Sequence, residues 1–292
     1  MTEAADTPPL APAPGRTAPP VAVTVRAVAD VRAIAAVADY LGEVWRTPRA
    51  APPYPAEVLH SLVHAGGAVH AAYDDGGDGG DGDGGDGAGP RLLGAAVAVF
   101  GEPGRREAYS LVTAAARGTG TAVKQAQRAW ALGRGARTMR WTFDPLVGRN
   151  ARFNLAKLGA VATDYLVDFY GPMADGVNGG DESDRLAVTW DLAAPRGRDR
   201  PEGEGAAERE AAPVTHVAPD GGALARRAAG GGRVWCRVPD DAVALRAADP
   251  ALARRWRRAV REVFTDAFAR GYAATGMDRD GWYTLTPARE AG

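Results

Sequence analysis

The stretch AAARGTGTAVKQAQRAW, Ala114 to Trp130, places Gly118 and Gly120 at the start of a helix-like pattern. Free backbone N–H groups and the positive end of the helix dipole converge at such a point and form an anion site. Glycine suits the loop because a Cβ would hold a phosphate away from these amides. The stretch lacks the Gly-Lys-Ser/Thr of a P-loop and the three-glycine spacing of a dinucleotide fingerprint. It is therefore either a phosphate cradle of another kind or a plain strand-to-helix turn.

The elements around this loop follow from the spacing of apolar residues. The predicted order over residues 21–193 is β-α-α-β-β-β-α-β-α-β-β, and Asp30 stands where the N-cap of the first helix belongs. A run of Gly and Asp over 74–89 predicts a flexible loop between two strands. Together these elements predict an α/β (α+β) fold with a mixed sheet and helices on both faces.

The rest of the chain divides by composition. The Pro/Ala-rich residues 1–20 predict a disordered tail, and the charged residues 194–212 predict a linker. Residues 213–292 predict a small strand-helix-strand unit, in which Asp249 and Pro250 occupy the N-cap and N1 positions of its helix. This unit is too small to be a convincing catalytic domain, so we expect it to dock on residues 21–193.

Composition and charge exclude several classes of protein. The formal net charge is −1, from 35 Lys and Arg and 36 Asp and Glu, which supplies no broad field for holding nucleic acid or an anionic membrane. No apolar run approaches the ~20 residues of a membrane-spanning helix. The single cysteine, Cys236, fits a reducing compartment and reads as a small core residue, so we expect a cytoplasmic protein. His60 and His64 would share a helix face, but no third metal ligand is identifiable, and no metal is predicted.

The element order and the glycine loop resemble the GNAT superfamily of N-acetyltransferases. The segments WTFDPLVGRNARFNLAKLGAVATDYLVDFYG and GDESDRL resemble a poorly characterised branch known as predicted GNAT acetyltransferases, in which the C-terminal unit also recurs. The resemblance implies a mostly antiparallel sheet flanked by helices. It also implies acetyl-CoA or another acyl-CoA as co-substrate.

The resemblance also implies which residues contact CoA. The pyrophosphate would be wrapped by the backbone amides of a five-residue run, Arg117, Gly118, Thr119, Gly120 and Thr121. Val112 and Thr113, at the end of the preceding strand, would pair with the amides of pantetheine as an added strand does. Asn150 lies near the superfamily's CoA-contacting Asn, although a helix-capping role explains it equally well.

The sequence departs from the superfamily pattern at two positions. If Gly118 and Gly120 are the motif glycines, Ala115 stands in the Arg/Gln position; if the motif starts at Arg117, Gly120 and Ala122 complete it. The Tyr that is the usual acid lies four residues before the Gly that ends the fourth helix. Here that position is Leu155.

Acyl transfer needs a base for the nucleophile and an acid for the departing thiolate. Glu107, which opens the fourth strand, is the candidate base acting through water, or else an exposed carboxylate at a sheet edge. Tyr109, Tyr165 and Tyr170 either point into the cleft or pack in the fold. We expect an acyltransferase that moves an acyl group to an amine or hydroxyl of a small-molecule acceptor. The alternative is a non-catalytic CoA-binding or interaction module.

Overall fold

The structure is a computed structural model that describes residues 22–74, 90–102, 104–173, 181–194 and 205–288. The tail predicted over 1–20 lies outside these residues. So does the loop predicted over 74–89, apart from Asp74, and so do residues 195–204 of the predicted linker.

Twelve strands form one continuous sheet in the described part of the chain. They are β1 (Val23–Val28), β2 (Ala68–Asp74), β3 (Leu92–Phe100), β4 (Glu107–Ala115), β5 (Thr138–Phe143), β6 (Val161–Leu166), β7 (Arg185–Asp191), β8 (Val214–Val217), β9 (Ala223–Arg227), β10 (Val234–Arg237), β11 (Tyr272–Met277) and β12 (Trp282–Pro287). Their order is β1-β2-β3-β4-β5-β7-β6-β11-β12-β10-β9-β8. Every neighbouring pair is antiparallel except β4 and β5, which confirms the predicted mixed, mostly antiparallel sheet.

Seven α-helices accompany the sheet in the described residues. They are α1 (Val31–Trp45), α2 (Ala56–His64), α3 (Gly120–Gly133), α4 (Gly148–Ala151), α5 (Ala206–Ala211), α6 (Ala242–Ala248) and α7 (Pro250–Ala269). A π-helical segment, Arg152–Lys157, continues α4. None of the helices in the described residues is both long and apolar enough to cross a membrane.

The helices α1 and α2 cover one face of the sheet, and α3 covers the other. Ile34 of α1 and Leu59 of α2 pack in a core cluster with Val97 of β3. Val123 of α3 packs instead with Ala96 of the same strand. Because neighbouring residues of a strand point to opposite faces, the two helix layers lie on opposite sides of the sheet.

The C-terminal unit extends this sheet. β11 pairs with β6 at Ala274 and Ala162, and both sides of this junction share one apolar core. The unit contains β8, β9 and α6 in addition to the strand-helix-strand pattern that the sequence predicts. The segment interpreted as a linker also differs from the expectation, because its residues 206–211 form α5. Arg209 of this helix is buried and forms ion pairs with Asp278 at 2.9 Å and Asp280 at 2.6 Å.

Candidate functional site

The parallel strands β4 and β5 separate after a short paired stretch. Among the described residues, the register between β4 and β5 covers Glu107–Tyr109 and Thr138–Arg140. β4 continues for six more residues, Ser110–Ala115, whose side towards β5 has no strand partner in the described part of the sheet. At about 3.3 Å per residue, this open edge is about 17 Å long. It leads from the end of the pairing to the glycine loop before α3.

A β-bulge lies beside the point where the strands separate. Val97 of β3 pairs with Val112, whereas the next residue, Ala98, pairs with Ser110, so Leu111 is the extra residue of β4. Bulges re-aim backbone groups and are common next to active sites. The pairing with pantetheine that the resemblance implies at Val112 and Thr113 requires an open strand edge, but the pattern of apolar residues did not predict where the bulge falls.

The glycine loop is held as a tight turn against β3. The Ala116 amide donates to the Leu93 carbonyl at 2.7 Å, and the Thr119 amide donates to the Ala116 carbonyl at 3.1 Å. The Thr119 hydroxyl also donates to the Ala116 carbonyl, at 2.8 Å, and the residue is buried. Gly118 has a φ of +94°, which L side chains rarely adopt. The Thr119 amide therefore closes the turn, and its contact with a pyrophosphate stays a prediction.

The first turn of α3 presents the remaining amides of the predicted cradle. The first N–H groups of a helix have no carbonyl partner within the helix, and the first helical bond here is from Val123 to Thr119. The side chain of Thr119, at the N-cap position, makes no capping bond to these amides. Arg117, Gly118 and Thr121 are exposed. Backbone donors, the helix dipole and the Arg117 charge thus favour an anion at this end of the open edge.

Asn150 does not cap the helix after β5. The N-cap of α4 is Val147, and Asn150 is the exposed third residue of that helix. The capping alternative is therefore wrong, and the CoA contact stays a prediction. Four residues later, Asn154 is buried in the π-helical segment, and its Oδ1 accepts from Trp141 Nε1 at 3.3 Å. Single-turn π-helices are frequent at functional sites.

Sequence reasoning missed a buried polar cluster under the point where β4 and β5 separate. Lys124 of α3 is 2% exposed; its Nζ donates to Ser110 Oγ at 2.8 Å and lies 4.1 Å from the centroid of the Trp141 ring. Ser110 Oγ donates in turn to Gln127 Oε1 at 3.1 Å, and Gln127 Nε2 donates to the Val97 carbonyl at 3.3 Å. Burial lowers the pKa of Lys124 from its ordinary 10.5 to about 7.

A signal for this cluster exists in the sequence. Lys124 and Gln127 stand at the same helical spacing as Val123 and Ala131, so they belong to the stripe of α3 that faces the sheet. A polar residue on a buried stripe needs a partner inside the protein. That need points to a polar residue on the strand beneath, which is Ser110.

Three tyrosines lie at the opposite face of β4 and β5, and Tyr109 of β4 is one of them. The Tyr54 hydroxyl donates to the carbonyl of Leu111, the bulge residue, at 3.4 Å, and burial raises the pKa of Tyr54 to about 12. Tyr170 Oη lies 3.2 Å from Thr142 Oγ1, and burial together with the nearby Tyr170 raises the pKa of Tyr109. Tyr170 is half exposed. These hydroxyl groups could contact an acceptor that approaches the bulge from this side.

Glu107 and Tyr165 lie in different surroundings from these tyrosines. Glu107 is partly buried at the paired end of β4, and its Oε1 lies 3.7 Å from Arg140 Nη1. It is three residues before Ser110, or about 10 Å, so a proton would reach it through water. Tyr165 is partly buried and packs against Phe264 of α7, and its hydroxyl donates to Asp184 at 2.7 Å. The packing alternative therefore holds for Tyr165.

The other chemistry-bearing residues do not join the site. Cys236 is buried in β10, and burial raises its thiol pKa. His60 and His64 are exposed on α2. Among the described residues, no group of three or more His, Cys, Asp or Glu is arranged to hold a metal ion.

Solved structures are similar to part of this chain. No protein-family model matches the sequence, and no curated protein matches it. Among solved structures, a GNAT-superfamily phosphinothricin acetyltransferase from Sinorhizobium meliloti in complex with acetyl-CoA is 16% identical. The match covers 60% of this chain and 89% of that chain, with a TM-score of 0.43. A ribosomal-protein-alanine N-acetyltransferase from Brucella melitensis is 15% identical over 57% of this chain and 99% of that chain, also with a TM-score of 0.43.

A third match is Ard1 from Thermoplasma volcanium, which is 17% identical over 60% of this chain and 100% of that chain, with a TM-score of 0.43. Several of the solved structures similar to part of this chain are acetyltransferases described as GNAT proteins. At these identities the likeness concerns the fold of part of the chain, and it assigns no residue a role.

Proposed function

We propose that the protein is an acyltransferase that moves an acyl group from acetyl-CoA, or another acyl-CoA, to an amine or hydroxyl of a small-molecule acceptor. The observation that carries the proposal is the open edge of β4, which joins the anion-binding turn of α3 to the point where β4 and β5 separate. A phosphate-bearing, extended, amide-containing ligand fits this edge from end to end. We place this activity in the cytoplasm, which the single cysteine fits.

The parts of acyl-CoA correspond to parts of this edge. The pyrophosphate fits the backbone donors of the exposed Arg117, Gly118 and Thr121 and of the partly buried Gly120, with Thr119 holding the turn. The two amides of pantetheine would add to the unpaired side of β4 at Val112 and Thr113. Over about 17 Å of strand, this course brings the thioester to the bulge.

An acceptor would approach from the face of α1 and α2. Tyr54, Tyr109 and Tyr170 line this approach with hydroxyl groups and apolar rings. Glu107 remains the proposed base, acting through water, and its neighbour Arg140 keeps the carboxylate in place. The nucleophile would attack the thioester carbonyl directly, with both substrates bound.

One observation favours the alternative, a CoA-binding module without catalysis. Leu155, which stands where the resemblance places the acid Tyr, is buried in the core and offers no proton. Release of free thiol from acetyl-CoA across a panel of amines and alcohols separates the two functions. Thiol release that depends on an acceptor supports the enzyme; tight acetyl-CoA binding without release supports the module.

The cradle is tested by a pair of glycine substitutions with equal backbone strain. Gly118 and Gly66 have φ values of +94° and +93°, and an added Cβ meets no atom within 4 Å at either position. Both Gly118→Ala and Gly66→Ala should therefore lower the free energy of unfolding by a similar amount, about 1 kcal/mol.

Only the methyl group of Gly118→Ala would stand beside the α3 amides. We expect this variant to weaken acetyl-CoA binding at least tenfold in calorimetry, while Gly66→Ala binds as the unaltered protein does. Equal affinities for the two variants would contradict the proposed cradle.

A further inference from the structure

We propose that Lys124 is the acid of this acyl transfer, the group that gives its proton to the departing CoA thiolate. The inference rests on the proposed function, because it assigns a residue to that reaction. The observation that supports it is the position of Lys124 Nζ, which lies at the point where β4 and β5 separate.

The position follows from the strand register. The last parallel pair joins Tyr109 to Arg140, so Ser110 and Trp141 are the first residues beyond the pairing. Nζ of Lys124 contacts both of them, at 2.8 Å from Ser110 Oγ and 4.1 Å from the Trp141 ring centroid. It therefore lies where the open edge begins, on the α3 side. A ligand anchored at the α3 N-terminus brings its thioester to this same end.

The donor and acceptor of each hydrogen bond in the chain from Lys124 to Val97 are fixed. Gln127 Nε2 donates to the Val97 carbonyl, so Gln127 Oε1 is left to accept from Ser110, and Ser110 Oγ accepts from Lys124. An ammonium group has three N–H donors. Ser110 takes one, and the Trp141 ring accepts the positive charge through its π face. Among the described residues, the third N–H of Nζ has no acceptor, so it can donate to a ligand in the gap between β4 and β5.

The charges around Lys124 allow its proton to leave near neutral pH. Its own helix contributes Gln127, β4 contributes Ser110, β5 contributes Trp141 and β3 contributes the Val97 carbonyl, none of which is charged. Glu107 and Arg140 lie at the paired end of the strands, where their side chains form an ion pair with each other. Burial without a charged partner holds the pKa of Lys124 at about 7, and an acid works best when its pKa lies near the working pH.

The choice of residue type agrees with this role. The chain contains 35 Lys and Arg residues, and only two of them are lysines, Lys124 and Lys157. Arginine stays charged at all working pH values, whereas a buried lysine exchanges its proton readily. The buried position under the gap thus holds one of the few basic residues of this chain that can act as an acid.

The proposed step balances as follows. The acceptor nitrogen or oxygen forms a bond to the thioester carbonyl carbon, and the carbon–sulfur bond breaks. The sulfur leaves with the electron pair and takes a proton from the Lys124 ammonium, which becomes a neutral amine. The acceptor loses its proton to water and Glu107, and Lys124 regains a proton from solvent when CoA departs.

The first test replaces Lys124 and varies the leaving group. We expect Lys124→Met to bind acetyl-CoA within about threefold of the unaltered protein and to lose about 100-fold or more in kcat. An acetyl thioester of a thiophenol needs little protonation of its leaving group, so the loss with that donor should fall below tenfold. Lys157→Met, at an exposed position, is the matched control and should leave both rates unchanged.

The second test measures the proton itself, in the unaltered protein. Lysine labelled with carbon-13 gives two side-chain signals, and Lys157→Met assigns them. The Lys124 signal should titrate near pH 7, and kcat should fall as the pH rises through the same value. This measurement decides the role if Lys124→Met does not fold.

Three results would overturn the inference: titration of Lys124 above about pH 9, an unchanged kcat in Lys124→Met, or equal losses with the two thioesters. Absence of acceptor-dependent thiol release from the unaltered protein is a different result. It would overturn the proposed function as well, and acetyl-CoA binding would then favour the module.

Discussion

The sequence predicts some residues of the candidate site better than others, as Lys124, Asn150 and Asn154 illustrate. The glycine loop was predictable because Gly118 and Gly120 precede a clear helical stripe. The burial of Lys124 was signalled by its spacing, but its partner Ser110 lies 14 residues away on another element. The burial of Asn154 gave no signal, because it depends on which turn of the helix meets Trp141.

The buried Lys124 should make stability depend on pH. Its pKa is about 7 in the folded protein and 10.5 in an ordinary setting, so between these values the unfolded chain binds more protons. The free energy of unfolding should therefore rise as the pH increases from about 7 towards 10.5. Lys124→Met lacks this dependence and should be more stable than the unaltered protein by several kcal/mol near pH 6 and much less so near pH 10.

Denaturant titrations at both pH values measure this difference, with Lys157→Met as the control for loss of a lysine. A Lys124→Met variant whose added stability is the same at both pH values would show that Lys124 keeps its charge when folded. It would also remove one support for the proposed acid.

At the scale of elements, helix starts were more predictable than strand geometry. Asp30 and Asp249 cap α1 and α7 as predicted, since each side chain accepts from a backbone amide three residues on. Such caps are local and can be recognised in a short window of sequence. The bulge at Leu111 and the separation of β4 from β5 involve three strands at once, so no window contains them. The short strands β8 and β9 lie in Gly-rich sequence with weak alternation.

The cap of α7 carries a prediction of its own. Asp249 Oδ1 accepts from the Leu252 amide at 2.9 Å, and Pro250 occupies the first turn. Asp249→Ala leaves that amide without its partner and should lower the free energy of unfolding by about 1 kcal/mol. Asp249→Asn keeps the acceptor and should lose less than half of that amount. Thermal or chemical unfolding measures both, and equal losses would show that charge, rather than the hydrogen bond, stabilises this end.

At the scale of the whole molecule, a buried cluster of charges connects the two parts of the chain. Asp144 follows β5 and Asp181 precedes β7, whereas Arg246 and Arg257 belong to α6 and α7. Arg257 donates to Asp181 at 2.8 Å and to Asp144 at 3.2 Å, and Arg246 donates to both carboxylates. All four side chains are buried. The sequence offered the segments FDP and GDESDRL only as parts of a resemblance, because their partners lie 65 to 113 residues away.

This cluster should make the two parts unfold together. Burial by itself raises the pKa of Asp144, but the Arg257 and Arg246 guanidinium groups outweigh it and hold that pKa below the usual value. Asp144→Asn removes one of the two buried carboxylates between Arg246 and Arg257, and it also removes the carboxylate that lies 3.9 Å from the buried Arg185, which together should cost about 3–5 kcal/mol. Glu102→Gln is the control, since it breaks the exposed 2.7 Å ion pair with Arg105 and should change stability by less than about 1 kcal/mol.

The pH dependence of the stability lost in Asp144→Asn distinguishes the contribution of the Asp144 charge from that of its packing. A carboxyl group whose folded pKa is lowered adds stability above its unfolded value of 3.8, and that stability is lost as the pH falls below it. The difference between the unaltered protein and Asp144→Asn should therefore be full at neutral pH and shrink on acidification. Denaturant titrations that follow Trp fluorescence measure it. A difference that stays constant down to about pH 3 would show that the ionised carboxylate contributes nothing to the joint between the two parts.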